Sequence, residues 1–252
     1  MTIAQDIENA PPAAPTLALI HTTTVEKFRK IFAQGAVIPQ RCPVMDADLT
    51  YFFYGRPAFR PGRIDRTDRN PDSRPVCLVF KREAVPPGAD IYPLDTGAHH
   101  ERRYSPHLDG VTFADLECSS VPDAEGRIVY RYFENNEDYF YGSERQNLEP
   151  GATSAVAKGF FGFLVDSSRM NYDDRSRTVE IIHDQNINLS ATLCGVILPD
   201  FLLHETEIAA WADACKAAGI QVKKYRPQSQ TCAAREVERR FPEIADIQGI
   251  PL

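Results

Sequence analysis

The run Thr16-Leu17-Ala18-Leu19-Ile20-His21 leads without a linker into Thr23-Thr24-Val25-Glu26. Beyond it Val25, Phe28, Ile31 and Phe32 recur at helical spacing up to Gly35. The order is an apolar strand, a Thr-x-x-Glu spacing of the capping-box type, an amphipathic helix, and a glycine suited to a left-handed stop. A second segment far along the chain, Arg177-Thr178-Val179-Glu180-Ile181-Ile182, also reads as an apolar strand presenting one polar side chain. Together the two are expected to bring a histidine and a carboxylate to one cleft.

Further strands are predicted at Leu49–Tyr54, Val76–Phe80, Ile128–Phe133, Thr178–Ile182, Leu193–Leu198 and Ile220–Tyr225, each a β-branched or aromatic run bounded by Pro, Gly or charged residues. Asn135–Tyr139 reads as a turn or helix start, Glu205–Ala218 as a helix closed by Gly219, and Ala233–Phe241 as a last short helix. The Ala- and Pro-rich residues 1–15 read as a flexible, frayed segment ahead of a single domain over 16–252. Helices do not alternate with strands regularly enough for a doubly wound sheet, so the expected class is α+β, with a curved or split mixed β-sheet flanked by helices.

A chain of 252 residues, 43% hydrophobic, can bury one substantial core. Its net charge of -7 and pI near 5.4 argue against a broad surface for nucleic acid or anionic lipid. Cysteines at 42, 77, 118, 194, 215 and 232 include no Cys-x-x-Cys, which suits reduced thiols and a cytoplasmic setting. No apolar run approaches the roughly 18 residues of a membrane span.

The histidine closing the first strand, the aromatic strand Tyr51-Phe52-Phe53-Tyr54 and the lone Glu180 opening a later strand resemble the His-Tyr-Glu arrangement of the ADP-ribosyltransferase superfamily. Tyr51-Phe52-Phe53-Tyr54-Gly55-Arg56-Pro57 is also distantly similar to the aromatic strand and Arg-containing turn of its DNA-modifying toxin branch. The resemblance covers three short blocks, and residues 84–157 match nothing in it. It implies an ADP-ribosyltransferase-like fold and NAD as a substrate, with no metal. The expected activity is NAD-dependent ADP-ribosyl transfer, or NAD glycohydrolysis if water is the acceptor. Protein, nucleic acid and water all stay open as acceptors. Thr178 stands where arginine-directed members carry the first Glu of Glu-x-Glu, which disfavours protein arginine.

The chemistry gives each residue type a reason. Cleaving nicotinamide from ribose develops an oxocarbenium-like charge, so a fixed carboxylate, Glu180, stabilises the transition state more than the ground state. An imidazole, His21, can hold a ribose hydroxyl, with Thr22 beside it, and an aromatic ring, Tyr54 or Tyr51, offers a flat face to nicotinamide. A guanidinium, Arg56 or else Arg60, can grip the pyrophosphate.

Blander readings stand beside these. His21 reads equally as a core histidine, the aromatic run as core, and the Arg/Asp alternation of 56–74 as a solvated loop face. Two other classes of function remain. The aromatic and Arg-rich stretch 51–74 suits a non-catalytic binding module, and His99, His100, Glu101, His107 and Cys118 are metal-ligand types for a metal-dependent hydrolase, though in no familiar zinc spacing.

Overall fold

In a computed structural model the described residues are 1–58, 70–148, 154–166, 174–227 and 230–245. The strands are β1 (Leu19–Thr24), β2 (Ala36–Val37), β3 (Gln40–Cys42), β4 (Ala47–Tyr54), β5 (Pro75–Phe80), β6 (Asp90–Tyr92), β7 (Glu180–His183), β8 (Ile187–Asn188), β9 (Leu193–Pro199) and β10 (Gln221–Tyr225). The helices are α1 (Ile3–Ile7), α2 (Val25–Gln34), α3 (Thr96–His100), α4 (Phe113–Leu116), α5 (Ala124–Phe133), α6 (Asn136–Tyr141), α7 (Ala155–Val165), α8 (Leu189–Thr192), α9 (Thr206–Ala217), α10 (Gln230–Arg240) and α11 (Pro242–Ala245).

One sheet runs in the order β10-β9-β5-β1-β4-β7-β6, with β3 paired to the start of β4, while β2 and β8 pair separately. Its pairs are antiparallel except β9 with β10. The sheet is therefore mixed, with helices packed against it, and the class is α+β. No helix among the described residues is long and apolar enough to cross a membrane.

The first strand and helix form in the expected order with two shifts. The strand runs from Leu19 to Thr24 rather than from Thr16 to His21, so His21 lies within it instead of closing it, and the helix cap moves by one residue. Thr23 stays in β1, paired with Val76, and Thr24 becomes the cap of α2, its hydroxyl accepting from Lys27 N at 3.4 Å. Glu26 therefore falls one position too early for a reciprocal capping box and instead pairs with Lys30 at 2.9 Å. Gly35 closes the helix at φ 68°, its N–H on Phe32 O. Phe28 and Phe32 of α2 meet Trp211 of α9 with ring centroids 5.8 Å apart in each case.

Two expectations are overturned. Residues 128–133 are the second half of α5, whose Ile128, Val129, Tyr132 and Phe133 are buried, rather than a strand. Nor are residues 1–15 frayed. Thr2 caps α1, Ile3 and Ile7 are wholly buried one turn apart, and the Asp6 carboxylate accepts from Arg131 Nε and Tyr132 Oη, both at 2.9 Å. Burying those two isoleucines, together with the Asp6 contacts, offsets part of the cost of ordering the segment.

The two sheet faces pack differently. Leu19, Phe52, Tyr54, Leu78, Phe80 and Val196 join the large core with Val25 and Phe28, whereas Ile20, Cys77, Val79 and Ile197 are covered by Ala233, Val237, Phe241 and Ile244 from α10 and beyond. After β4 the chain turns at Gly55, with φ 68°, where an added Cβ would lie 2.2 Å from Leu17 Cδ1. Only glycine fits that turn without displacing Leu17.

Candidate functional site

Strand register decides which candidate residues can meet. Ile20 pairs with Phe53, Phe53 with Glu180, and Glu180 with Tyr92, so these four form one row across β1, β4, β7 and β6. Directly opposed residues share a face, and residues two apart along a strand return to it. Thr22, Tyr51 and Ile182 therefore lie on the face of Glu180, while His21, Phe52 and Ile181 alternate to the other. The His21 ring confirms the phase by lying 5.7 Å from the ring of Phe52. The expected convergence of imidazole and carboxylate on one cleft is thus corrected: the two lie on opposite sheet faces, and of β1 it is Ile20 and the polar Thr22 that share the Glu180 face.

Glu180 itself is 3% exposed. One carboxylate oxygen, Oε2, accepts both from Thr96 N at 2.9 Å and from Thr96 Oγ1 at 2.7 Å. The residue before Thr96, Asp95, caps α3 by accepting from Ala98 N at 2.6 Å and pairs with Arg175 at 3.1 Å. Burial and the like charge of Asp95 push the Glu180 carboxyl up to about 8, against the opposing pull of the Thr96 donors and Arg175. A buried carboxyl with its ionisation pushed upward and charged neighbours of both signs is a candidate functional group.

Two hydroxyls on the same face are buried without a conventional hydrogen bond. Thr22 Oγ1 has the Cys77 thiol as its polar neighbour, and Tyr51 Oη has that of Cys42. A thiol is a weak partner, so both hydroxyls retain bonding capacity. Phe53, next to the end of β4 at Tyr54, is only partly buried.

His21 stands at a split in the sheet. β1 and β4 share only two residue pairs, Leu19 with Tyr54 and Ile20 with Phe53, and beyond them His21 Nδ1 bridges the opening to Tyr51 O at 2.9 Å. A carbonyl only accepts, so Nδ1 carries the proton and Nε2 keeps a lone pair. Burial holds the ring's pKa below its ordinary value, which keeps the imidazole neutral. A neutral Nε2 at the edge of a split can accept from a hydroxyl.

Tyr54 and Arg56 do different work from that expected. Tyr54 is 1% exposed, on the face away from Glu180, and its Oη accepts from Leu17 N at 2.9 Å. Tyr54 N donates to Val179 O, and Tyr139 Oη bridges from Tyr54 O at 2.7 Å to Val179 N at 2.9 Å. Arg56 is 7% exposed and donates to Tyr139 O at 3.0 Å, with its guanidinium 6.0 Å from the Tyr139 ring centroid. These residues therefore anchor Val179, the residue that delivers Glu180 to the head of β7. Arg74 is buried as well, so both ends of the arginine-rich stretch turn inward. Arg60, Arg63, Arg66 and Arg69 lie outside the described residues.

Two of the three histidines proposed as metal ligands are engaged elsewhere, and His100 is exposed. His99 Nε2 bonds Val111 O and His107 Nε2 bonds Asp166 Oδ2, both at 2.9 Å. Among the described residues no group of three or more His, Cys, Asp or Glu is placed to hold a metal ion. A cavity of about 410 Å³ lined by Arg131, Glu134, Arg145, Gln146, Asn147 and Leu148 contains none of the candidate residues.

Comparison with protein families, with curated proteins and with solved structures finds nothing that matches this chain. The reading of the site therefore rests on its own residues. Sequence reasoning missed Asp95, Thr96 and Arg175. Nothing local in Asp95-Thr96-Gly97 ties it to a strand residue 84 positions away.

Proposed function

We propose that the chain is an NAD-dependent ADP-ribosyltransferase or NAD glycohydrolase with Glu180 as its catalytic carboxylate. The observation that carries this reading is the carboxyl of Glu180: buried at the head of β7, held through one oxygen by Thr96, and sharing a face with Tyr51, Phe53 and Thr22. The other oxygen, Oε1, accepts no hydrogen bond among the described residues and is the one to meet a substrate.

In this reading the bond between C1′ of the ribose and the nicotinamide nitrogen breaks, and the electron pair leaves with nicotinamide. The positive charge developing on the sugar is opposed by ionised Glu180 Oε1, which a low-dielectric site makes more effective than a carboxylate in water. A hydroxyl of water or of an acceptor then bonds to C1′ and releases its proton. Tyr51 and Phe53 supply aromatic surface, and Tyr51, the alternative to Tyr54, takes the ring-facing role expected first of Tyr54. Thr22 Oγ1 supplies a hydrogen-bonding group on the Glu180 face, while His21, on the opposite face of β1, is left to bridge the split to Tyr51 O. Arg56, spent on Tyr139, is not the pyrophosphate ligand.

The test is incubation of the purified chain with NAD, alone and with protein, DNA or RNA acceptors, while following free nicotinamide and label transfer. Release without an acceptor marks a glycohydrolase, and release that depends on one acceptor marks a transferase. If NAD neither binds nor is consumed under any of these conditions, the reading fails.

A further inference from the structure

We propose that Thr96 is the positioning residue of Glu180: its main-chain N–H and its hydroxyl both donate to Oε2, which fixes the carboxyl's orientation and reserves Oε1 for the substrate. The proposal rests on the reading of Glu180 as catalytic, and it names a residue outside the aromatic strand and the first helix.

The local chain explains how Thr96 comes to be there. β6 pairs with β7 so that Tyr92 lies beside Glu180, and the chain leaves β6 through Pro93 and Leu94. Asp95 then stops it in two ways, by capping α3 through Ala98 N and by its ion pair with Arg175, while Asp95 N also bonds Arg175 O at 3.3 Å. These contacts hold the first residue of α3 with its N–H and hydroxyl aimed at one point. Thr96 is 1% exposed and Asp95 6%, so solvent competes little for either bond.

Two donors on one oxygen do more than hold a rotamer. They stabilise the ionised carboxyl, while Asp95 destabilises it and Arg175 supports it. The other titratable groups facing Glu180 are the phenols of Tyr51 on β4 and Tyr92 on β6, with Asp90 further along β6 beside Tyr92. Both phenols are neutral at working pH, their ionisation raised chiefly by burial. Among these groups, the Thr96 hydroxyl is the one that can be removed without changing charge or volume. Valine keeps the shape of threonine and removes the donor, and serine keeps the donor.

The experiment is a direct titration of the Glu180 carboxyl by carbon NMR in chains labelled at the glutamate carboxyl carbon. The Glu180 resonance is assigned by its loss in Glu180→Gln, and wild type is compared with Thr96→Val and Thr96→Ser. Thr96→Val is expected to raise the midpoint by about one pH unit or more, since it removes a hydrogen bond to a charged group. Thr96→Ser is expected to titrate like wild type. The alkaline shift should recur in the pH profile of nicotinamide release, where Thr96→Val moves the rising limb upward. The titration needs no turnover, so absence of NAD cleavage sinks the catalytic reading while the titration still decides the role of Thr96. A midpoint in Thr96→Val equal to that of wild type overturns the proposal. So does a shift in Thr96→Ser as large as that in Thr96→Val, because packing rather than the donor would then set the carboxyl.

Discussion

Glu180→Gln separates function from stability more cleanly than any other change. The carboxyl is raised from 4.5 to about 8 in the folded chain. Between those values the unfolded chain sheds the proton that the folded chain keeps, so folding stability falls as pH rises from 4.5 to 8 and is level beyond. At 1.36 kcal/mol per pH unit the penalty reaches about 5 kcal/mol above pH 8 and about 3 kcal/mol at pH 7, both upper figures because structure relaxes around a buried charge. Glutamine carries no charge and has one carbonyl oxygen, and since both Thr96 bonds end on Oε2 alone, that oxygen can keep them both. The variant should therefore be about as stable as wild type at pH 4 and more stable by a few kcal/mol at pH 9, while nicotinamide release is lost. Urea denaturation at pH 4, 7 and 9 reads the difference. A Glu180→Gln chain that is less stable than wild type at pH 9, or whose difference does not grow with pH, would refute the account of a desolvated carboxyl held by Thr96.

Three further outcomes are expected. Nicotinamide release should rise with pH along a limb centred near 8, because the ionised form of Glu180 stabilises the sugar cation, and a profile flat from pH 6 to 9 would contradict that assignment. Tyr54→Phe should cost about 1–3 kcal/mol of stability by stranding Leu17 N, with turnover per folded molecule retained, whereas Tyr51→Phe should leave stability nearly unchanged and raise KM for NAD. Steady-state kinetics beside thermal melts distinguish the two, and the reverse pattern would return Tyr54 to the site. Ile7→Ala should cost about 2–5 kcal/mol by hollowing the contact between α1 and the core, and a loss within 0.5 kcal/mol in urea denaturation would mean that the N-terminal helix adds little to folding.

What the sequence made legible follows from how local each signal is. The β1–α2 unit carried its own punctuation in threonine caps and Gly35, but the strand's bounds and the choice between Thr23 and Thr24 as cap went astray, because both depend on where pairing with β5 begins and ends. The run Ile-Val-Tyr-Arg-Tyr-Phe at 128–133 has no decisive period over six residues. Its helical state comes from the preceding turn of α5 and from packing against α1 and α6. Ile3 and Ile7 sat in a composition typical of loose termini, yet their spacing of four places both on one side of a single turn.

The site divides in the same way. Glu180 was legible because a carboxylate within an apolar strand is costly unless it is used or satisfied. The choice between Tyr51 and Tyr54 was not, since three residues along a strand put them on opposite faces, and only the pairing of Phe53 with Glu180 says which face matters. The same phase puts His21 on the face away from Glu180 and Thr22 on the same face as it. Asp95, Thr96 and Arg175 become a site only when β6 and β7 come together, a long-range event that no local pattern records.

The most direct measurement is nicotinamide release from NAD by the wild-type chain and by Glu180→Gln, followed chromatographically at pH 8.5. Wild type should release nicotinamide, and the variant should bind NAD while losing about a hundredfold or more of the rate. Equal rates in the two proteins, or no binding and no release by wild type, would contradict the claim that this carboxylate cleaves the nicotinamide–ribose bond.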